Sequence, residues 1–142
     1  SMLGAAHSMA NALTALRETV HGVAVGLALP AVMEFNAGQS ETMTRYANLA
    51  RRAAIVSETT SDADSFEALL ARVRHLLALA NFPSSLSELG FEEADLAGLA
   101  KSASEQWTAG FNPRAIETHE FLRLYSSLFD STPCLGETQE LS

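Results

Sequence analysis

Residues 64–80 read Asp64-Ser-Phe66-Glu67-Ala-Leu69-Leu70-Ala-Arg72-Val73-Arg74-His75-Leu76-Leu77-Ala-Leu79-Ala80. Phe66, Leu69, Leu70, Val73, Leu76, Leu77 and Ala80 fall at i, i+3, i+4, i+7, i+10, i+11 and i+14. Strands repeat every two residues, and this spacing instead repeats once per helical turn, so it predicts one continuous amphipathic helix. Asp64 followed by Glu67 reads as a capping box at its start, and Pro83 stands just past its end.

The same period recurs along the chain. Met43, Tyr46, Ala47, Ala50 and Ala54 form one stripe, with Ser40 as its cap. Leu96, Leu99, Ala100, Ala103 and Trp107 form another, in which Trp107 completes the core face. Phe121, Leu124, Tyr125 and Leu128 form a third, opened by Thr118 as N-cap. Two helices are predicted upstream, over about residues 3–18 and 22–37. The first is rich in small residues (Gly4, Ala5, Ala6, Ser8, Ala10, Ala12), which allow close approach, so it is expected to be central. Pro30 is expected to kink or split the second. Ile55 and Ile116 are the only isoleucines, and strand formers are scarce throughout. The reading is all-α: a single helical-bundle domain of about six or seven helices over residues 1–130. Segments 81–92 and 108–117 read as ordered connections, and 131–142 as an irregular tail.

The chain has 142 residues, 47% of them hydrophobic and 18% charged, which is the composition of one folded domain. Its net charge of −8 argues against tracking nucleic acid and against docking on an anionic membrane. The apolar stretches are interrupted by Gly22, Gly26 and Pro30, well short of the roughly 18 residues of a membrane span. No basic segment precedes an apolar core, so a cytoplasmic location is expected. Cys134 is the sole cysteine, excludes an internal disulfide, and has no histidine near it in sequence.

Four histidines are candidate ligands. His75 lies between arginines on a charged flank and His119 in the first turn after Thr118, so both read as surface residues. Arg51-Arg52 and Arg72/Arg74 likewise read as solvated faces. The carboxylate pairs Asp62/Asp64 and Glu92-Glu93 sit where helix N-termini attract acids. His7 and His21 differ. Fourteen residues apart, they lie on successive helices joined by a short turn. If those helices pack antiparallel, both imidazoles face one cleft, as half of a metal site does. From spacing alone the signal is weak, and two structural histidines are the more frequent case.

The run Gly4-Ala-Ala-His7-Ser-Met-Ala-Asn11-Ala-Leu13, followed by His21-Gly22 and by Leu29-Pro30-Ala-Val32-Met-Glu-Phe35-Asn36, resembles the C-terminal domain of the iron-containing (group III) alcohol dehydrogenases. That family shows Gly-x-x-His-x-x-x-His-x-Leu-Gly, then His-Gly, then Leu-Pro-x-Val-x-x-Phe-Asn. Asn112-Pro113-Arg114 with Phe121-Leu-x-Leu-Tyr125 resembles its Asn-Pro-Arg segment and closing helix, so the likeness runs over about residues 3–129. The resemblance implies a fold like that of the dehydroquinate synthase-like enzymes. It also implies one divalent metal, iron or zinc, held by an Asp and three His and acting as a Lewis acid while a nicotinamide cofactor exchanges hydride. By position, His7 and His21 are the metal ligands. The family's Asp-x-x-x-His pair and its Gly-rich nucleotide loop have no counterpart here, so no cofactor-binding or catalytic residue is assigned. Asn11 stands where the family has its second histidine and cannot relay a proton as imidazole does. Thr14 replaces the glycine of Leu-Gly, and Val20 the proline before His-Gly. Asn11 and Arg114 are candidate cleft-lining residues, the latter able to fix a helix end or a carboxylate.

Two functions follow. One is a metal-binding dehydrogenase domain, active with NAD(P) only when a Rossmann-like domain or partner subunit supplies the remaining ligands. The other is a free-standing helical module without redox activity. It would use the cleft for a small molecule or a cofactor-free reaction, or an exposed apolar face for a partner or for homo-oligomerisation. Ser1-Met2 reads as a tag scar followed by a native or a vector methionine, so the chain is either a cut piece of a longer dehydrogenase or a free-standing domain that starts at Met2. The second is the expected case, because a cut just before His7 would fall inside the first metal helix.

Overall fold

A computed structural model describes residues 4–129. The predicted tail at 131–142, with Cys134, lies outside the described residues, as do Ser1-Met2. Within them the fold is all-α. Six helices run in the order α1 (Ala5–Leu16), α2 (His21–Ala37), α3 (Ser40–Arg52), α4 (Asp62–Leu79), α5 (Leu96–Glu105) and α6 (Thr118–Phe129). Short 3-10 turns at Ser87–Leu89, Glu93–Asp95 and Trp107–Phe111 occupy the connections. Among the described residues no helix is long and apolar enough to cross a membrane.

α1 is central, as its small residues predict. Ala5, Met9, Ala10 and Leu13 are fully buried, and α1 packs on α2, α5 and the 107–111 turn. The larger core joins that helix to Ala24, Leu27, Ala28 and Val32 of α2, the Leu96–Ala103 stripe of α5 and the Phe121–Leu128 stripe of α6. A smaller core holds Met33 and Ala37 of α2 with Ala50, Phe66, Leu69 and Leu70. The long α2 therefore ties the two cores together. Pro30 does not split it: one missing amide bond is outweighed by Leu27, Ala28, Val32 and Met33, buried on both sides of the ring.

Several local expectations are corrected. α4 starts two residues before Asp64, and its cap is Ser61, whose hydroxyl accepts from the Asp64 amide at 3.2 Å. A Ser61→Ala chain is expected to lose about 1 kcal/mol in urea unfolding; an unchanged midpoint would dismiss this cap. Ser40 and Thr118 are the first residues inside their helices rather than caps. At α6 the Glu120 carboxylate reaches back to the Glu117 amide instead, at 2.9 Å. Ala54 drops off the α3 stripe because the helix ends at Arg52, and its φ of 56° turns the chain away. The α4 stripe is buried only in its first half; Leu76 is exposed and Ala80 lies past the helix end. Arg51 is not a solvated side chain. Half-buried, it bonds the Asp62 carboxylate, the Thr60 carbonyl and Asn48. These contacts, led by Arg51, hold the Asp62 carboxyl below its usual range, so their contribution is present at neutral pH and fades as pH falls through that lowered value.

Candidate functional site

α1 carries no charged side chain, and neither does α2 before Glu34. The α1 residues that are not buried form one stripe in which His7 and Asn11 stand a turn apart. Ser8, on the edge of that stripe, is buried and shares a 2.6 Å hydrogen bond with Thr108. The Asn11 amide donates to Gln106 at 3.5 Å. One side of the stripe is thus walled by the 106–111 segment, and the other by the first turn of α2. There the antiparallel approach of α1 and α2 brings His21 against His7, with ring centres 5.6 Å apart and planes tilted by 50°. His7 is half-buried and His21 exposed.

A zinc-bound imidazole nitrogen lies about 2 Å from the ion, so two rings on one tetrahedral centre hold their own centres roughly 5 Å apart. The observed spacing suits that chemistry. Among the described residues, however, no group of three or more His, Cys, Asp or Glu converges anywhere. The pair fits half of a metal centre and, by itself, not a whole one. His75 and His119 stay apart from it, both exposed, with His119 Nδ1 3.3 Å from Glu117.

Arg114 does not line the cleft with His7. Its guanidinium donates to the Phe35 carbonyl at 2.7 Å, lies 4.0 Å from the Phe35 ring centre and faces Glu120 at 3.9 Å. It closes the C-terminal end of α2, where a cation suits the exposed carbonyls. Gly38 leaves room for it: a Cβ there would lie 2.6 Å from the Arg114 nitrogen. Beside it, Asn112 exchanges two hydrogen bonds with buried Asn36 (3.1 and 2.7 Å), accepts from the Ala5 amide at 3.4 Å, and donates to the Arg114 carbonyl at 2.7 Å. One side chain thereby pins the start of α1, the end of α2 and the approach to α6. Asn112 therefore positions the helix that carries His7, a role that its place in an Asn-Pro-Arg run did not reveal.

Trp107 is the main departure from expectation. α5 stops at Glu105 because Gln106 is extended, so the stripe breaks and Trp107 is 67% exposed instead of in the core. It packs edge to face on Phe111, with ring centres 5.6 Å apart. Tyr125 does complete the core. Its hydroxyl donates to the Met9 carbonyl at 2.8 Å, and burial pushes its ionisation well above the ordinary phenol value.

Residues 1–129 match the profile of the Fe-containing alcohol dehydrogenase family, C-terminal. Lactaldehyde reductase of Escherichia coli (strain K12) is 32% identical over 123 residues, covering 87% of this chain and 32% of the relative. NADPH-dependent butanol dehydrogenase of Clostridium saccharobutylicum is 27% identical over 136 residues, 93% of this chain and 34% of that protein. Among solved structures, a 1,3-propanediol oxidoreductase superposes with a TM-score of 0.82 at 28% identity, covering 89% of this chain and 32% of that one. An alcohol dehydrogenase from Oenococcus oeni gives 0.80 at 25% identity, with the same coverage. The chain spans about a third of the length of the curated relatives it matches. On the helical order, the paired histidines and these matches together, the chain belongs to the Fe-containing alcohol dehydrogenase family and corresponds to its C-terminal domain.

Proposed function

We propose that this domain supplies two imidazoles, His7 and His21, to the divalent-metal centre of an NAD(P)-dependent alcohol dehydrogenase. The remaining ligands and the nucleotide site would come from protein outside the described residues, and the setting would be cytoplasmic. The observation that carries the reading is the 5.6 Å spacing of the two rings on adjacent antiparallel helices. When bound, iron or zinc would polarise the alcohol or carbonyl oxygen as a Lewis acid. The residues of this chain hold and orient. α1 and α2 fix the two rings, Asn112 and Arg114 brace the ends of those helices, and Asn11 offers an amide able to orient a polar group but unable to accept and pass on a proton. Any proton relay would need a group supplied from elsewhere.

Dialysis against zinc or ferrous iron, followed by elemental analysis, tests this. Metal is expected to stay with the native chain and with His75→Ala, and to be lost from His7→Ala and His21→Ala. Equal retention in all four chains, or none in any, would remove the reading. The second reading, a module without redox activity using the same cleft for a small molecule, is favoured by Asn11. It gains if a folded chain binds neither metal nor NAD(P)H.

A further inference from the structure

We propose that the cavity between α2, α4 and α6 is a small-molecule site, and that it takes a primary amine carried on a short apolar body.

The cavity measures about 420 Å³, within the roughly 300–1,000 Å³ typical of small-ligand sites. Its apolar walls are Leu27 and Pro30 of α2, Leu77 of α4, Phe82 and Pro83 of the loop that follows, and Leu128 of α6. Nine residues separate His21 from Pro30, about two and a half helical turns, so the cavity lies on the side of α2 turned away from the paired imidazoles. Neither histidine lines it.

These walls are fixed by bonds within the fold. Asn81 takes a left-handed φ of 56°, which ends α4 and turns Phe82 back, with the Phe82 amide donating to the Leu77 carbonyl at 3.1 Å. The Phe82 ring then lies on α2 where Gly26 has no side chain; a Cβ there would collide with it. The Leu86 amide donates to the Leu128 carbonyl at 2.9 Å and ties the loop to α6. A site held open in this way costs a ligand little ordering.

The polar edge of the cavity offers acceptors. Pro30 carries no amide hydrogen, so the Gly26 carbonyl lacks the donor that would close that helical turn. The Ser127 hydroxyl donates its hydrogen to the Leu124 carbonyl at 2.7 Å and keeps acceptor capacity. Arg74, the cation among the lining residues, is already paired with the Glu34 carboxylate. Both side chains are about half exposed, so that pair is weak and the carboxylate can be shared. An ammonium brings three donors and no acceptor, which complements this edge, whereas a carboxylate would set acceptors against acceptors. The net charge of −8 also favours a cation over an anion at long range.

The test is calorimetric titration of the whole 142-residue chain with phenethylamine and, separately, with hydrocinnamate, at neutral pH. The amine is expected to bind saturably and at least about tenfold more tightly than the carboxylate. Ala78→Phe, placed at an exposed position of α4 that lines the cavity, should abolish binding with Tm unchanged. Glu34→Gln should weaken the amine about tenfold. Pro30→Ala supplies the missing amide to the Gly26 carbonyl and should weaken the amine in a chain no less stable than the native one. His7→Ala should bind it normally, so this result and the fate of the metal reading are independent. Hydrocinnamate binding as tightly as the amine would overturn the proposal, as would no saturable binding of either. Amine binding that survives Ala78→Phe, or that is lost in His7→Ala, would place the amine elsewhere and overturn it too.

Discussion

Replacing Asn112 by alanine is expected to cost about 2–5 kcal/mol and to loosen the proposed metal-binding pair at the same time. The side chain makes four hydrogen bonds, two of them with Asn36, which is only 3% exposed. Removing it leaves a buried amide short of a donor and an acceptor, each costing about 1–3 kcal/mol when orphaned. The Ala5 amide, one of the free donors at the start of α1, loses its partner too. His7 lies in that first turn, so fraying there should lower zinc retention even in chain that remains folded. Asn112→Asp keeps the acceptor but not the donor and should fall between. Urea unfolding and zinc content measured on the same samples would decide; a full-strength site in a weakened fold would separate Asn112 from the positioning of His7.

Phe121→Ala should be more damaging to stability, by about 3–5 kcal/mol, because the ring is fully buried and its loss opens a cavity. Against the roughly 5–15 kcal/mol that holds a domain together, that is a large fraction. A fall in Tm on the order of 10 °C is expected in calorimetry. The ring packs in the core shared by α1, α2, α5 and α6, and it stands on α6, which carries neither of the two imidazoles. Zinc retention at low temperature should therefore persist, in contrast to Asn112→Ala. A Tm within a degree or two of the native chain would mean that the site collapses to fill the gap.

The stripes legible in the sequence are those whose burial the structure repeats: Leu96 to Ala103, Phe121 to Leu128, and the small residues of α1. Period alone reveals which face is apolar. It does not reveal where a helix stops, because that depends on one backbone angle pair. Gln106 turns extended and sends Trp107 into solvent, while Ala54 adopts a left-handed φ that an alanine does not advertise. Caps mislead for a similar reason: Ser61, Asp62 and Asp64 are all acceptable openings, and only the fold chooses among them. The histidine pair was legible from spacing and motif together. Its brace was not, since Asn36 and Asn112 are 76 residues apart and no local pattern marks two amides that will pair.

The outward turn of Trp107 gives the molecule a built-in optical probe. It is the sole tryptophan, so all indole emission reports from this one spot beside α1. A ring bathed in water emits at long wavelength. Any subunit, cofactor domain or ligand that settles over this flank would shift that emission to the blue, with no label attached.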